Sequence, residues 1–422
     1  MIKMLAFITI MVTSKLSKIN QLKILIIKNH IFVYMEKRYF STLFVVLVTA
    51  ACAFAQSNKS PLSITDTVTI SFIGDVMQHG GQISAALSKG EGKTYNYENA
   101  FRHLKGRFRQ ADLMVANMEF TLGTRPYSGY PTFSAPPEIA YAAKDAGIGL
   151  FMLANNHIAD KGKTGFENTF KAYEEIGVPT IGVYRTSDEE KENDPMILTI
   201  KGIKFAFFNY TYDTNGMPVT PPYHVNLQDS TYIREVIAKA RLSKADIIIA
   251  LPHWGEEYHL SPSQEQKEYA EFMFNEGVDV IIGSHPHVPE EAYIYTESSS
   301  ATAPLTESEP AVKRVVFYSL GNYISNQSDP AYTQVGTFVR LRFIKNLLSG
   351  KISLAMPEWE YTWCFRKGEL ESDYTVVPIE EFINGETYQK GGETPTHKAA
   401  FDLMSKTYGL IKDKQLVKVI TE

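Results

Sequence analysis

The chain has 422 residues, 44% of them hydrophobic and 21% charged, with a formal net charge of −5. That balance supports a sizeable core and excludes collagen-like, coiled-coil and wholly disordered chains, and the negative charge argues against non-specific nucleic-acid binding, whose footprint is a basic face. Two cysteines, Cys52 and Cys364, exclude a disulfide framework and a cysteine zinc site, so any bound metal must be held by His, Asp, Glu or Asn.

In chain order, the first feature is Met35-Glu-Lys-Arg followed by an uncharged, largely apolar run from Tyr39 to Ala55. A charged start, an apolar middle and an Ala53-Phe54-Ala55 exit are the parts of a secretory signal. Leu43 to Ala55 is shorter than the roughly 20 residues a spanning helix needs. Residues 1–55 therefore read as a leader, with Met35 as a second possible start, that exports the chain to the periplasm or cell surface. An uncleaved anchor and a lipid on Cys52 are the alternatives. Residues 56–67, polar and Ser-rich, read as a tether.

Val68 to Ile73 is a β-branched, apolar run that stops at Gly74-Asp75, the pattern of a strand delivering a carboxylate at its end. The pattern recurs at Leu113 to Ala116 before Asn117-Met-Glu119, and at Leu150 to Ala154 before Asn155-Asn156-His157. It recurs again at Ile247 to Leu251 before Pro252-His253-Trp254-Gly255, at Val278 to Ile282 before Gly283-Ser284-His285-Pro286-His287, and at Val315 to Tyr318 before Ser319-Leu-Gly-Asn322. Between these runs, helical spacing appears at Glu138 to Ala146, Gly165 to Ile176, Tyr232 to Leu242 and Ser263 to Glu276. Alternating strand and helix predict βαβ units in a layered α/β domain over 68–335. The Ser/Thr/Pro/Glu-rich residues 297–310 read as an exposed insertion. Residues 336–422 complete or extend the domain, with a hairpin from Thr337 to Phe343 and Lys351 to Ala355 and a helix from Thr396 to Leu410.

Ligands in such sheets bind beyond the carboxyl ends of the strands. Asp75, Glu119, Asn156, His253, His285 and His287 all follow strand-like runs and would converge there. Any one of them alone has an ordinary structural explanation. Six oxygen and imidazole donors on one rim would repel or stay unsatisfied without a cation, and carboxylate plus imidazole suits Zn, Mn or Fe. In an extended His285-Pro286-His287 segment both imidazoles face one way. Tyr210, Tyr212, Asp213 and Asn215 follow the strand Lys204 to Asn209 and are placed to line the pocket, and Trp254 could pack over it. His79, His103, His224, His259 and His397 have no motif context and read as structural or surface.

These segments, with Asn155-Asn156-His157-Ile-Ala-Asp160-Lys-Gly162 and Gly283-Ser284-His285-Pro286-His287-Val288 among them, resemble the CapA family of bacterial poly-γ-glutamate capsule synthesis proteins, which are similar to calcineurin-like metallophosphoesterases. The resemblance covers roughly residues 68–326. It implies a four-layer α/β/β/α sandwich with one or two divalent metal ions at the strand ends. Asp75 and His287 would hold one metal, Asn156, His253 and His285 the other, and Glu119 would bridge them. His157 would be the general acid, a metal-activated hydroxide the nucleophile, and Asn155, Tyr210, Trp254 and Asn322 would bind substrate. Met77 stands where the wider phosphoesterase pattern has a histidine. The partners implied are an anionic polymer or phosphorylated envelope substrate and capsule-synthesis membrane proteins. The rival reading is a non-catalytic polymer-binding or export factor on the same fold.

Overall fold

The computed structural model describes residues 23–27, 30–34, 65–297, 312–370, 372–391 and 394–421. The signal-like run 39–55, the tether up to 64 and insertion residues 298–310 lie outside the described residues. Lys23–Ile27 and His30–Tyr34 pair antiparallel within a unit of their own. No helix among the described residues is long and apolar enough to cross a membrane.

From residue 65 the chain runs β1 (Thr65–Val76), α1 (Gly80–Lys89), β2 (Leu113–Met118), α2 (Glu138–Ala146), β3 (Leu150–Met152), α3 (Gly162–Ile176) and β4 (Thr180–Ile181). Next come β5 (Met196–Ile200), β6 (Ile203–Thr211), α4 (Ser230–Leu242), β7 (Ile247–His253), α5 (Gln264–Asn275), β8 (Val280–Ile282), β9 (Ala292–Thr296) and β10 (Val312–Phe317). β11 (Asn322–Ile324), β12 (Val335–Asn346), β13 (Ile352–Leu354), β14 (Glu358–Phe365), β15 (Thr375–Pro378), α6 (Pro395–Lys414) and β16 (Val417–Thr421) follow. The main sheet has the order β5-β6-β7-β8-β10-β13-β12-β1-β2-β3-β4. β1 to β4 are mutually parallel, as are β6, β7, β8 and β10.

Strand alternation explains how this sheet becomes layers. Val68, Ile70 and Phe72 of β1 and Val115 of β2 share one core with Phe205 and Phe207 of β6, Ile249 and Leu251 of β7 and Val315 and Phe317 of β10. The two halves of the sheet therefore pack face to face. The opposite parity, Met114, Ala116 and Met118 of β2, packs under α2 and α3 through Ile139, Ala143, Phe166 and Phe170. On the other side Ala206, Phe208 and Tyr210 of β6 and Ile248 and Ala250 of β7 pack under α4 and α5 through Ile233, Val236, Ala270 and Met273. The order is α/β/β/α, with each buried large apolar side chain contributing about 1.5–3 kcal/mol.

Helix ends follow local chemistry. Asp229 caps α4 by accepting from Thr231 and Tyr232 amides at 2.8 and 2.9 Å, and Ser263 with Gln266 forms a capping box on α5. The predicted 337–355 hairpin is present as β12 and β13, but β12 is longer because it pairs antiparallel with β1 from Val339↔Phe72 to Asn346↔Thr65. β14 and β15 add to β12, and α6 covers them with Phe401, Met404 and Ile411. β16 lies parallel to β9.

Candidate metal centre

The parallel strands carry their functional residues at or just past their C-terminal ends. Asp75 is near the end of β1 and His253 is the last residue of β7. Glu119 follows β2, Asn156 follows β3, and His285 and His287 follow β8. Two glycines allow the backbones to close in. A Cβ at Gly74 would collide with the Gly321 carbonyl, and one at Gly283 with the Tyr318 carbonyl. The first approach lets the Asp75 amide donate to Gly321 O at 2.9 Å.

The six predicted ligands are all buried, and their donor atoms form two overlapping groups. Glu119, His253 and His285 make one, and Asp75, Glu119 and His287 make the other, each with ligand atoms within 4.8 Å of one another. Glu119 Oε1 lies 3.8 Å from His253 Nε2 and 3.8 Å from His287 Nε2. Asn156 Oδ1 joins the first group, 3.0 Å from His253 Nε2. The imidazoles are oriented from behind: His253 Nδ1 is 3.0 Å from Ser284 Oγ, and His287 Nδ1 is 3.1 Å from Asn322 Oδ1. Asn117 ties the carboxylates together, its Nδ2 donating to Asp75 Oδ1 at 2.8 Å and Glu119 Oε2 at 3.3 Å.

The electrostatics fit a cation. Burial pushes the Glu119 carboxyl well above its ordinary range, and Asp75, Glu257 and Asp160 add to the push. Burial likewise pulls His253 and His285 well below the ordinary imidazole range, reinforced by the neighbouring histidines. Glu119 Oε1 and His285 Nδ1 are sealed from solvent without a hydrogen-bond partner. Buried polar atoms are rarely left so. A divalent ion between them would satisfy both and reverse the repulsion among the carboxylates. The donor set, mixed carboxylate, amide oxygen and imidazole, is one that transition metals accept.

His157 stands beside this cluster. Its Nδ1 is 2.8 Å from Asp160 Oδ2, which also accepts from the Phe133 amide at 2.6 Å. A carboxylate cannot donate, so the proton sits on Nδ1 and Nε2 is left to the substrate side. Phe133 packs edge-on against the ring at 4.5 Å. His157, Asp160, Asn156 and His287 line a cleft of ≈ 450 Å³ with Met77, His79, Tyr130, Phe133, Asn215, Met217, Glu257, Tyr258 and Gln327. No lysine or arginine is among the residues that line it.

The four residues expected to bind substrate do not line this cleft. Tyr210 shares the parity of Ala206 and Phe208, so it points under the helices, where its hydroxyl meets Met273 Sδ at 3.7 Å. Trp254 is likewise in that core and donates to Tyr318 O at 2.9 Å. Asn155 is consumed by scaffold contacts: Nδ2 donates to Met118 O at 2.9 Å and Oδ1 accepts from the His157 amide at 3.2 Å. Asn322 positions His287 and donates to Thr333 O at 2.9 Å. The extended reading of residues 285–287 is also corrected. His285 and His287 have φ of 102° and 60°, so a left-handed backbone, rather than alternation, turns both rings inward. Tyr212 does reach the site, its ring 4.6 Å from that of His285. Sequence reasoning missed His79 and the part played by Asn117, whose amide orients the carboxylates. Asp160 had a signal, its three-residue spacing from His157.

A model of the family described as bacterial capsule synthesis protein PGA_cap matches residues 69–327. The capsule biosynthesis protein CapA of Bacillus anthracis is 26% identical over 297 residues, 67% of this chain and 66% of that protein. The PGA biosynthesis protein CapA of Bacillus subtilis (strain 168) is 25% identical over 281 residues, 65% of this chain and 67% of that protein. The chain thus spans about two thirds of the length of these relatives. Among solved structures, the putative 5'-nucleotidase from Staphylococcus aureus in complex with alpha-ketoglutarate covers 81% of this chain and 58% of its own, at 12% identity and a TM-score of 0.43. The Haemophilus influenzae NAD nucleotidase (NadN) covers 83% and 68%, at 16% identity and a TM-score of 0.42. Likenesses of this depth carry no weight for chemistry.

Proposed function

The chain belongs to the bacterial capsule synthesis protein PGA_cap family, and from that premise we propose that it is an exported, metal-dependent hydrolase of the phosphoesterase type. Its substrate would be an anionic polymer or a phosphorylated component of the cell envelope. The observation that carries this is the unpartnered Glu119 Oε1, equidistant at 3.8 Å from an imidazole of each donor group. A carboxylate oxygen common to both donor groups would help to hold a divalent ion in either.

One or two divalent ions held by Asp75, Glu119, Asn156, His253, His285 and His287 would polarise a substrate oxygen and lower the pKa of a water so that it attacks at neutral pH. The rest is the work of the chain's own groups. Asn117 ties Asp75 and Glu119 together, and Asn322 and Ser284 hold the imidazoles. His157, its Nδ1–H held by Asp160, would take up a second proton at Nε2 and pass it to the leaving oxygen. Phe133 covers one side of that ring and shields it from water. With no cationic side chain on the cleft wall, attraction for an anion rests on the metal.

The test is metal analysis of the purified chain together with hydrolysis of phosphomonoesters, phosphodiesters and γ-glutamyl peptides. Bound metal with metal-dependent phosphoester hydrolysis is the expected result. Bound metal with no turnover on any of the three would favour a binding or export role instead, and a chain that takes up no divalent ion would remove the reading.

A further inference from the structure

His79 lies at the head of α1, between the end of β1 and the helix, and lines the same cleft as His157, Asn156 and His287. Its ring packs edge-on against Phe133 at 5.1 Å, and Phe133 packs edge-on against His157 at 4.5 Å. One phenyl ring thus spaces two imidazoles along one wall. Each is held at Nδ1, but in opposite senses. His157 Nδ1 faces a carboxylate oxygen and must donate. His79 Nδ1 accepts from the Asn326 backbone amide at 3.4 Å. An amide can only donate, so this nitrogen carries no proton and the ring's proton is on Nε2. The capping box aims the Gln82 backbone N–H at the same ring, so two amide donors meet one acceptor there, Gln82 Oε1 at 3.3 Å, which also accepts from the His79 amide at 2.8 Å. His79 Nε2 has no partner among the described residues, and it is not sealed from solvent. Burial also keeps the ring neutral, pulling its pKa down to about 4, with the Gln82 contact opposing and His287 and His157 adding to the pull.

We propose that His79 is a substrate-binding residue whose Nε2–H donates to an anionic oxygen, of the phosphoryl type, on the molecule held over the metal-ligand cluster; this rests on the function proposed above. His79 is not among the donors of either metal group. It adds a fixed donor to a wall that has no lysine or arginine. The cleft then presents complementary faces: His157 handles a proton at the leaving oxygen, and His79 holds an oxygen that stays on the substrate.

Two substitutions separate this role from a structural one. His79→Asn keeps an acceptor where Nδ1 meets the Asn326 amide and removes the donor at Nε2. His79→Gln places an amide N–H where Nε2 was. The full chain is loaded with Mn²⁺, its metal content and melting temperature are measured, and inorganic phosphate binding is followed by calorimetry, with KM and kcat for p-nitrophenyl phosphate alongside. The expected loss for His79→Asn is about 10- to 100-fold in phosphate affinity, the size of one hydrogen bond to a charged group, with KM raised and metal content unchanged. His79→Gln should recover most of that loss. Phosphate affinity unchanged in His79→Asn, or lost equally in both variants, would overturn the role of His79 while leaving the proposed function standing. Wild-type protein that holds Mn²⁺ but binds no phosphate would overturn both, and wild-type protein that takes up no metal would overturn the proposed function first.

Discussion

Replacing Glu119 by Gln should raise the stability of the metal-free chain and cut the further stability that metal adds. In the metal-free chain Glu119 is fully buried, one oxygen lacks a partner, and Asp75, Glu257 and Asp160 oppose its charge. A buried unsatisfied polar group costs about 1–3 kcal/mol, more when charged. At neutral pH the buried carboxyl must take up a proton on folding and Gln need not, so Glu119→Gln should stabilise the metal-free chain by about 1–3 kcal/mol. For a chain of this size that is a rise of roughly 1–4 °C in melting temperature. Metal then adds less to the variant than to the wild type. At a free ion concentration of 100 Kd the wild type gains about 2.7 kcal/mol by mass action. Loss of a shared ligand that weakens binding 10- to 100-fold leaves about 0.4–1.4 kcal/mol at the same concentration. The assay is calorimetric melting in chelator and in excess Mn²⁺ or Zn²⁺, with bound metal counted by mass spectrometry. A variant that melts lower than wild type in chelator, or that gains as much from metal, would refute the assignment of Glu119 as the shared ligand.

Other expectations follow from the same geometry. His157→Asn should lower kcat about 10²- to 10⁴-fold while metal content stays at the wild-type level; unchanged turnover would remove His157 as the acid. Asp160→Asn should lower kcat less, since it leaves the imidazole in place but frees its tautomer. Asn322→Ala, which removes the partner of His287 Nδ1, should weaken metal binding about 10- to 100-fold without removing a ligand, as read by competition with a chromophoric chelator. Far from the centre, burial pushes Asp194 up to about 7, against the hydrogen bonds of Tyr232 and Tyr184. Its folded pKa is raised, so its contribution is fully present below the unfolded carboxyl range and is lost as pH rises through about 7. Urea titrations at pH 6 and pH 8 should show the wild type losing about 1 kcal/mol more than Asp194→Asn over that interval; equal losses would contradict the buried-acid assignment.

Much of the centre can be read from sequence because its residues sit where apolar runs stop. A Gly-Asp, an Asn-x-Glu or a Pro-His after four to six β-formers marks the end of a parallel strand, and parallel strands bring their ends to one rim. Local pattern does not reveal what depends on parity or on distant pairing. Tyr210 lies one residue beyond the predicted strand Lys204 to Asn209, but β6 continues to Thr211, so its side chain falls on the helix-facing side with Phe208. The histidines at 285 and 287 converge through two positive φ angles that no residue-type preference announces. His79 is hidden for another reason: its meaning comes from the Asn326 amide, 247 residues away. The helices were legible where periodicity and caps agree, and Glu138–Ala146 has the predicted bounds. α3 begins three residues early because Gly162 and Lys163 carry no apolar signal.

The place of β12 has a consequence for how the molecule is made. The strands that carry Asp75, Glu119 and Asn156 belong to one half of the sheet, those that carry His253, His285 and His287 to the other, and the sheet runs between the halves through β13 and β12. Every proposed ligand has therefore left the ribosome before the segment that stitches the halves into one surface. A chain cut after residue 334 would keep every proposed ligand and lose the clasp, so the proposed affinity for metal should arise in nascent protein only once β12 and β13 have emerged.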